Sequence, residues 1–122
     1  MEILDKLIDK AKKVCQQAEV FWVTSQNTDA SFEANRLKAV ETHEGRYLGL
    51  RIVKDGRIGY STTNKIDDID DILSMALEVS KFGAKAEFEL PSAQDYPKVE
   101  VYDDAVNQVS IDQMVDLGNN MI

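Results

Sequence analysis

The feature that most narrows the fold of this chain is the dipeptide Asp55-Gly56, set between two alternating runs: Leu48, Leu50 and Ile52 before it, and Ile58, Tyr60 and Thr62 after it. Asp-Gly supplies the positive φ angles of a type I′ turn, so Arg46 to Lys54 and Arg57 to Thr62 are expected to pair as an antiparallel hairpin. A two-residue loop sets the register, with Ile52 opposite Gly59 and Arg51 opposite Tyr60. One face then carries Leu48, Leu50 and Ile52 beside Gly59 and Ser61. Small residues next to large ones leave room for a helix to approach closely. On the other face Arg51 is placed to lay its guanidinium over Tyr60.

The flanking sequence extends this hairpin into a layered domain. From Glu2 to Ala18, Leu4, Leu7, Ile8, Ala11, Val14, Cys15 and Ala18 recur at helical spacing, the mark of an amphipathic helix with one buried stripe. Glu19 to Thr24 is apolar on both alternations, as a strand covered on both faces requires. Ser25-Gln26-Asn27-Thr28-Asp29 reads as a turn cluster, followed by a one-sided strand through Ala30, Phe32 and Ala34. A tight turn at Asn35-Arg36, a strand over Leu37 to Thr42 and a turn at His43-Glu44-Gly45 then lead into the hairpin. The expectation is an antiparallel meander of four to five strands.

Asp67 is placed to cap a second helix, with Asp68, Asp70 and Asp71 in the first turn where the helix dipole favours anions. Ile69, Ile72, Leu73, Ala76, Leu77 and Ser80 hold the helical period to about Lys81, and Gly83 stops it. Lys85 to Leu90 alternates as a short strand. The fold class is therefore α+β: an N-terminal helix, the meander, a second helix packed on the sheet, and a tail starting a further helix. Residues 1–90 read as the domain, and 91–109, with Pro91 and Pro97, as an extended linker. Ser110-Ile111-Asp112-Gln113 has the N-cap pattern with Gln three residues on, so 110–122 reads as the start of a helix.

Composition limits the partners. The 122 residues carry 14 Lys and Arg against 22 Asp and Glu, a net charge of −8 that opposes phosphate backbones and argues against direct nucleic-acid binding. No apolar run approaches the roughly 20 residues of a membrane span, and Met1 to Val20 lacks a signal-peptide core, so no membrane partner and a cytoplasmic location are expected. Cys15 is the single cysteine. It lies on the apolar stripe of the first helix with no His or basic cluster beside it, which marks a core thiol.

Chemistry is sparse. His43 is the only histidine, and Gly45, Arg46 and Tyr47 follow His43-Glu44, so neither His-Glu-x-x-His nor a one-residue-longer variant is completed. His43 is expected on an exposed turn. Ser61, Thr62 and Thr63 lack a nucleophile elbow and a base, leaving an independent hydrolase disfavoured. Gly45, Gly49, Gly56 and Gly59 are in the wrong order for a phosphate loop, and pairs such as Asp103-Asp104 are too common in so acidic a chain to mark acid–base catalysis. No catalytic, cofactor-binding or metal residue is assigned.

The run Ser31 to Asp68, SFEANRLKAVETHEGRYLGLRIVKDGRIGYSTTNKIDD, resembles the N-terminal domain of the TldD/PmbA family, the "modulator of DNA gyrase" proteins similar to zinc-dependent peptidases. Tyr102-Asp103-Asp104-Ala105-Val106 matches the family's Tyr-Asp-x-x-Val pattern and extends the likeness over most of the chain. Glu44-Gly45-Arg46-Tyr47 departs from members that place a second small residue before the Leu-Gly-Leu strand. The resemblance implies a non-catalytic N-terminal domain of a metallopeptidase acting in proteolysis or peptide maturation, helping to form a subunit interface or substrate chamber. It further implies that the helix begun at 110–122 leads to a missing downstream domain, that zinc, where the branch has it, lies in such a domain, and that the protein has a homo- or heterodimeric partner subunit and a peptide substrate. The alternative is a stand-alone protein or peptide interaction module that uses an exposed sheet edge.

Overall fold

The computed structural model describes residues 2–122. Its elements are α1 (Glu2–Lys12), β1 (Gln17–Glu33), β2 (Arg36–Lys54), β3 (Arg57–Thr63), α2 (Ile69–Ser80), a 3-10 turn (Asp104–Gln108) and α3 (Ile111–Asn120). The fold is α+β as expected. Its sheet, however, has three antiparallel strands in the order β1-β2-β3, because the first four expected strands merge into two long ones. The chain divides into two compact units.

The first unit comprises the chain up to Thr24 together with Gly45–Ala93. Leu7 and Ala11 of α1, Leu48, Leu50 and Ile52 of β2, and Ile72, Leu73 and Ala76 of α2 form one buried cluster. Each fully buried Leu or Ile contributes about 1.5–3 kcal/mol relative to exposure, so these side chains dominate the stability of the unit. The β2–β3 register places Ile52 opposite Gly59 and Arg51 opposite Tyr60, as the two-residue turn requires. Asp55 and Gly56 take φ of 50° and 71°.

Small residues on β3 let α2 come down onto the strand. A Cβ on Gly59 would lie 2.1 Å from the carbonyl oxygen of Ala76. Ser61 donates its hydroxyl to the carbonyl of Ile72 at 2.6 Å, in a buried position. The cap of α2 is Asp68 rather than Asp67: its carboxylate accepts from the Asp71 N–H at 3.1 Å, which sets the helix start one residue later than expected. Asp70 and Asp71 lie in the first turn.

Two boundaries differ from expectation for the same reason, a tertiary backbone contact. α1 ends at Lys12 instead of Ala18, because the Gln16 N–H bonds the carbonyl of Val53 at 2.8 Å and the Lys54 ammonium bonds that of Val14 at 2.6 Å. Cys15 and Ala18 still pack against the core. The short strand expected over Lys85 to Leu90 reduces to one bridge, Arg57 to Lys85. Ile58 donates to Ala84 at 2.9 Å and Ala86 to Gly56 at 2.8 Å. Gly83 permits this return: a Cβ there would meet the Ile58 carbonyl oxygen at 1.8 Å.

The second unit comprises Ser25–Glu44 and Gln94–Ile122. Its hairpin turns at Ala34 and Asn35, with φ of 50° and 60°, one residue before the expected Asn35-Arg36. Ser25 to Asp29 and His43 to Gly45 are not turns but lie inside β1 and β2. Their polar side chains find partners across the strands: Gln26 donates to Glu44 at 3.2 Å, and the hydroxyls of Thr28 and Thr42 are 3.0 Å apart. α3 carries the expected capping box, with Ser110 accepting from the Gln113 N–H and Gln113 accepting from the Ser110 N–H. Phe32 packs on α3 where Gly118 leaves space, a Cβ there being 2.1 Å from the ring. Asp103 caps the 3-10 turn by accepting from Ala105.

Candidate interaction surface

Alternation along β2 puts Leu48, Leu50 and Ile52 into the core and turns Tyr47, Gly49 and Arg51 to the opposite face of the sheet. That face is aromatic. Phe21 meets Tyr47 edge-on at 5.6 Å between ring centroids and stacks on Tyr60 at 6.3 Å. Gly49 lets the Phe21 ring lie across β2, since a Cβ there would be 2.4 Å from the ring. Tyr47 is 39% and Tyr60 44% exposed, so the cluster is open to a partner.

Arg51 does not lie over Tyr60. Its guanidinium pairs with Glu19 at 2.5 Å and stands 5.2 Å over the ring of Phe88. Phe21 already stacks on Tyr60, and Glu19 draws the cation toward β1. The Arg51 Nε is buried without a hydrogen-bond partner.

The order β1-β2-β3 leaves β1 at the sheet edge. Gln17–Glu33 contains no Lys, Pro or Gly but carries Glu19, Asp29 and Glu33, and the Leu90 N–H bonds the Gln17 side chain at 2.6 Å beside the start of the strand. Its stretch within the first unit, Gln17 to Thr24, borders the aromatic face through Glu19, Phe21 and Val23. Side-chain anchoring beside an open backbone edge is the arrangement by which a sheet accepts an added strand.

The residues of chemical interest are dispersed. His43 is exposed on β2, not on a turn, with its Nε2 3.5 Å from Glu41. Cys15 donates to the Ala11 carbonyl at 2.8 Å, and burial pushes its thiol above the ordinary range while Lys54 opposes the shift. The Ser61 hydroxyl is committed to Ile72, and that of Thr63 to the turn at Lys65. A hollow of about 570 Å³ gathers Lys54, Arg57 and Lys81, yet their donors bond Val14, Gly83 and Glu78. Among the described residues no three His, Cys, Asp or Glu side chains converge as metal ligands.

Sequence reasoning missed Phe21, Tyr47, Glu19 and Phe88 as a group. The available signal was the i, i+2 spacing of Glu19, Phe21 and Val23 against Tyr47, Gly49 and Arg51. Which strands meet was not readable, because the turn residues between them suggested a different pairing.

Residues 18–81 match the family described as PmbA/TldA metallopeptidase domain 1. An uncharacterized protein of Methanocaldococcus jannaschii is 27% identical over 95 residues, which is 78% of this chain and 22% of that protein. The fold is similar to TldE from Thermococcus kodakarensis, with TM-score 0.84 and 20% identity over 97% of this chain and 28% of the other. It is also similar to a candidate modulator of a DNA gyrase from Thermotoga maritima, with TM-score 0.82 and 18% identity over 97% and 27% of the two chains. The chain thus spans about a quarter of the length of the relatives it matches.

Proposed function

We propose, because the chain belongs to the PmbA/TldA metallopeptidase domain 1 family, that it is the non-catalytic first domain of a metallopeptidase-type protein and helps to form a subunit interface or the wall of a substrate chamber. The observation that carries this reading is the aromatic sheet face around Phe21, Tyr47 and Tyr60, with β1 at the edge of the sheet. A surface of that kind binds through stacking and main-chain hydrogen bonds, which suits a partner subunit or an extended peptide of varied sequence. Peptide cleavage would fall to residues outside this chain, where zinc would polarise the scissile carbonyl. Work in the cytoplasm, with a like or related subunit, belongs to the same reading.

The test is made on the protein as its genome encodes it. Phe21→Ala combined with Tyr60→Ala should lower subunit association or peptide turnover by at least about tenfold, a loss of some 1.4 kcal/mol, while bound zinc stays constant. Unchanged association and turnover would sink the reading. Zinc lost together with these side chains would place metal ligands in this domain and sink it equally.

A further inference from the structure

We propose that the segment 87–90 is a built-in competitor for the outer face of the sheet: Phe88 occupies the seat over Arg51 that an aromatic side chain of the partner takes, and it must lift before that partner engages. This rests on the reading of that face as an interaction surface and adds a control on access to it. The chain returning from α2 is held in two unequal parts. The first is tied to the hairpin: Ile58 donates to the Ala84 carbonyl at 2.9 Å, Ala86 to that of Gly56 at 2.8 Å, and the Arg57 guanidinium to that of Gly83 at 2.8 Å. Beyond Ala86, among the described residues, the ties thin to one hydrogen bond, from the Leu90 N–H to the Gln17 side chain at 2.6 Å, and one seated ring, Phe88 at 5.2 Å over Arg51.

Packing around this second part is incomplete. A hollow of about 420 Å³ is lined by Glu87, Phe88 and Glu89 together with Gln16, Gln17 and Val53. Phe88 keeps 39% of its surface in water, and Glu87 and Glu89 are exposed. The seat also carries a cost. Nε of Arg51 is buried without a partner, and a buried donor left unpaired is a loss that a solvated guanidinium does not bear. A cation–π contact and one hydrogen bond to a side chain are set against that cost. Arg51 stands opposite Tyr60, whose ring stacks on Phe21, so the seat adjoins the aromatic cluster. An extended partner segment with an aromatic side chain finds the same guanidinium face there, and its apparent affinity is set by the fraction of molecules in which Phe88 has lifted.

The test uses the protein as its genome encodes it and an end-blocked peptide Glu-Phe-Glu-Leu, the sequence of residues 87–90, added in trans. Phe88→Ala vacates the seat, so calorimetry should show the peptide binding this variant at least about fivefold more tightly than the parent protein, whose own ring competes. Gln17→Ala, which releases the Leu90 N–H without touching the ring, should move the affinity in the same direction by less. The same peptide with Ala in place of Phe should not bind. Equal affinity for the parent and Phe88→Ala, no binding to that variant, no gain in Gln17→Ala, or binding of the Ala peptide would each overturn the proposal. Equal affinities alongside lost subunit association in the Phe21→Ala, Tyr60→Ala variant would overturn it alone and leave the reading of the face standing. Tighter peptide binding in Phe88→Ala with association intact in the double variant would support the seat while the subunit reading fails.

Discussion

The two units of this molecule are built from similar pieces, strand pairs with helices, yet only one of them closes around a core. In the first, Leu7, Leu48, Leu50, Ile52 and Ile72 are removed from water by helices on one face of the sheet. In the second, Phe32, Met114 and Val115 are at best half covered and the hairpin leans on polar pairs such as Thr28 with Thr42. Exposed polar pairs are worth a fraction of a kcal/mol each, whereas a buried aliphatic side chain is worth several times that. The order of the second unit therefore rests on local signals, two successive positive φ angles at its turn and a capping box, and its stability is expected to be lower than that of the first.

The sharpest way to break this contrast is to cut into both units alike. Leu50→Ala should cost about 3 kcal/mol and Gly59→Ala at least about 2, the latter because its Cβ would be driven into the Ala76 carbonyl. Leu117→Ala should change urea stability by less than about 0.5 kcal/mol. Equal losses at Leu50 and Leu117 would mean that the units are one cooperative body. Next in size, Ser110→Ala removes the hydroxyl arm of the α3 capping box, the bond accepted from the Gln113 N–H, and should lower the stability of that helix by about 1 kcal/mol. Hydrogen exchange should register the change in α3 and leave Leu48 to Val53 protected; a matching loss in β2 would count against separate stabilities.

Ala34→Gly works in the opposite direction. A left-handed alanine costs about 1 kcal/mol that glycine does not, so the variant should raise the unfolding midpoint, and a lowered midpoint would show that the Ala34 methyl has a packing role. The smallest effect is expected at Cys15. Burial holds its thiol neutral to higher pH than in the unfolded chain, so its contribution is complete below the unfolded value of about 8.5 and is lost as pH rises through the higher folded value. Urea midpoints should fall on alkaline titration, and Cys15→Ala should flatten that fall. An unaltered slope would mean that other groups dominate.

Much of the first unit was legible because its signals agree. The Asp55-Gly56 turn, the alternation on either side of it, and the small residues of β3 all specify the same register and the same helix-facing side. The second unit misled where local and non-local preferences differ. Ser25 to Asp29 has turn composition, but the partners that keep it extended, Glu44 and Thr42, come from the far strand. The end of α1 was hidden likewise, since helical spacing continues to Ala18 while the chain is diverted by Val53. The aromatic face was the least legible feature. It depends on Gly49 lying under Phe21, a meeting that only the folded pairing creates.

The close seat of α2 on β3 also has a mechanical side. At Gly59 backbone lies against backbone, without the layer of mobile side chains that usually lets a helix slide over a sheet. The hydroxyl of Ser61 pins the same pair eleven residues along the chain, at Ile72. Helix and strand should then respond to load as a laminate that resists shear, so a tug on Tyr60 at the outer face is transmitted to α2 without slack. A sheet backed in that way keeps its shape when its outer face is loaded.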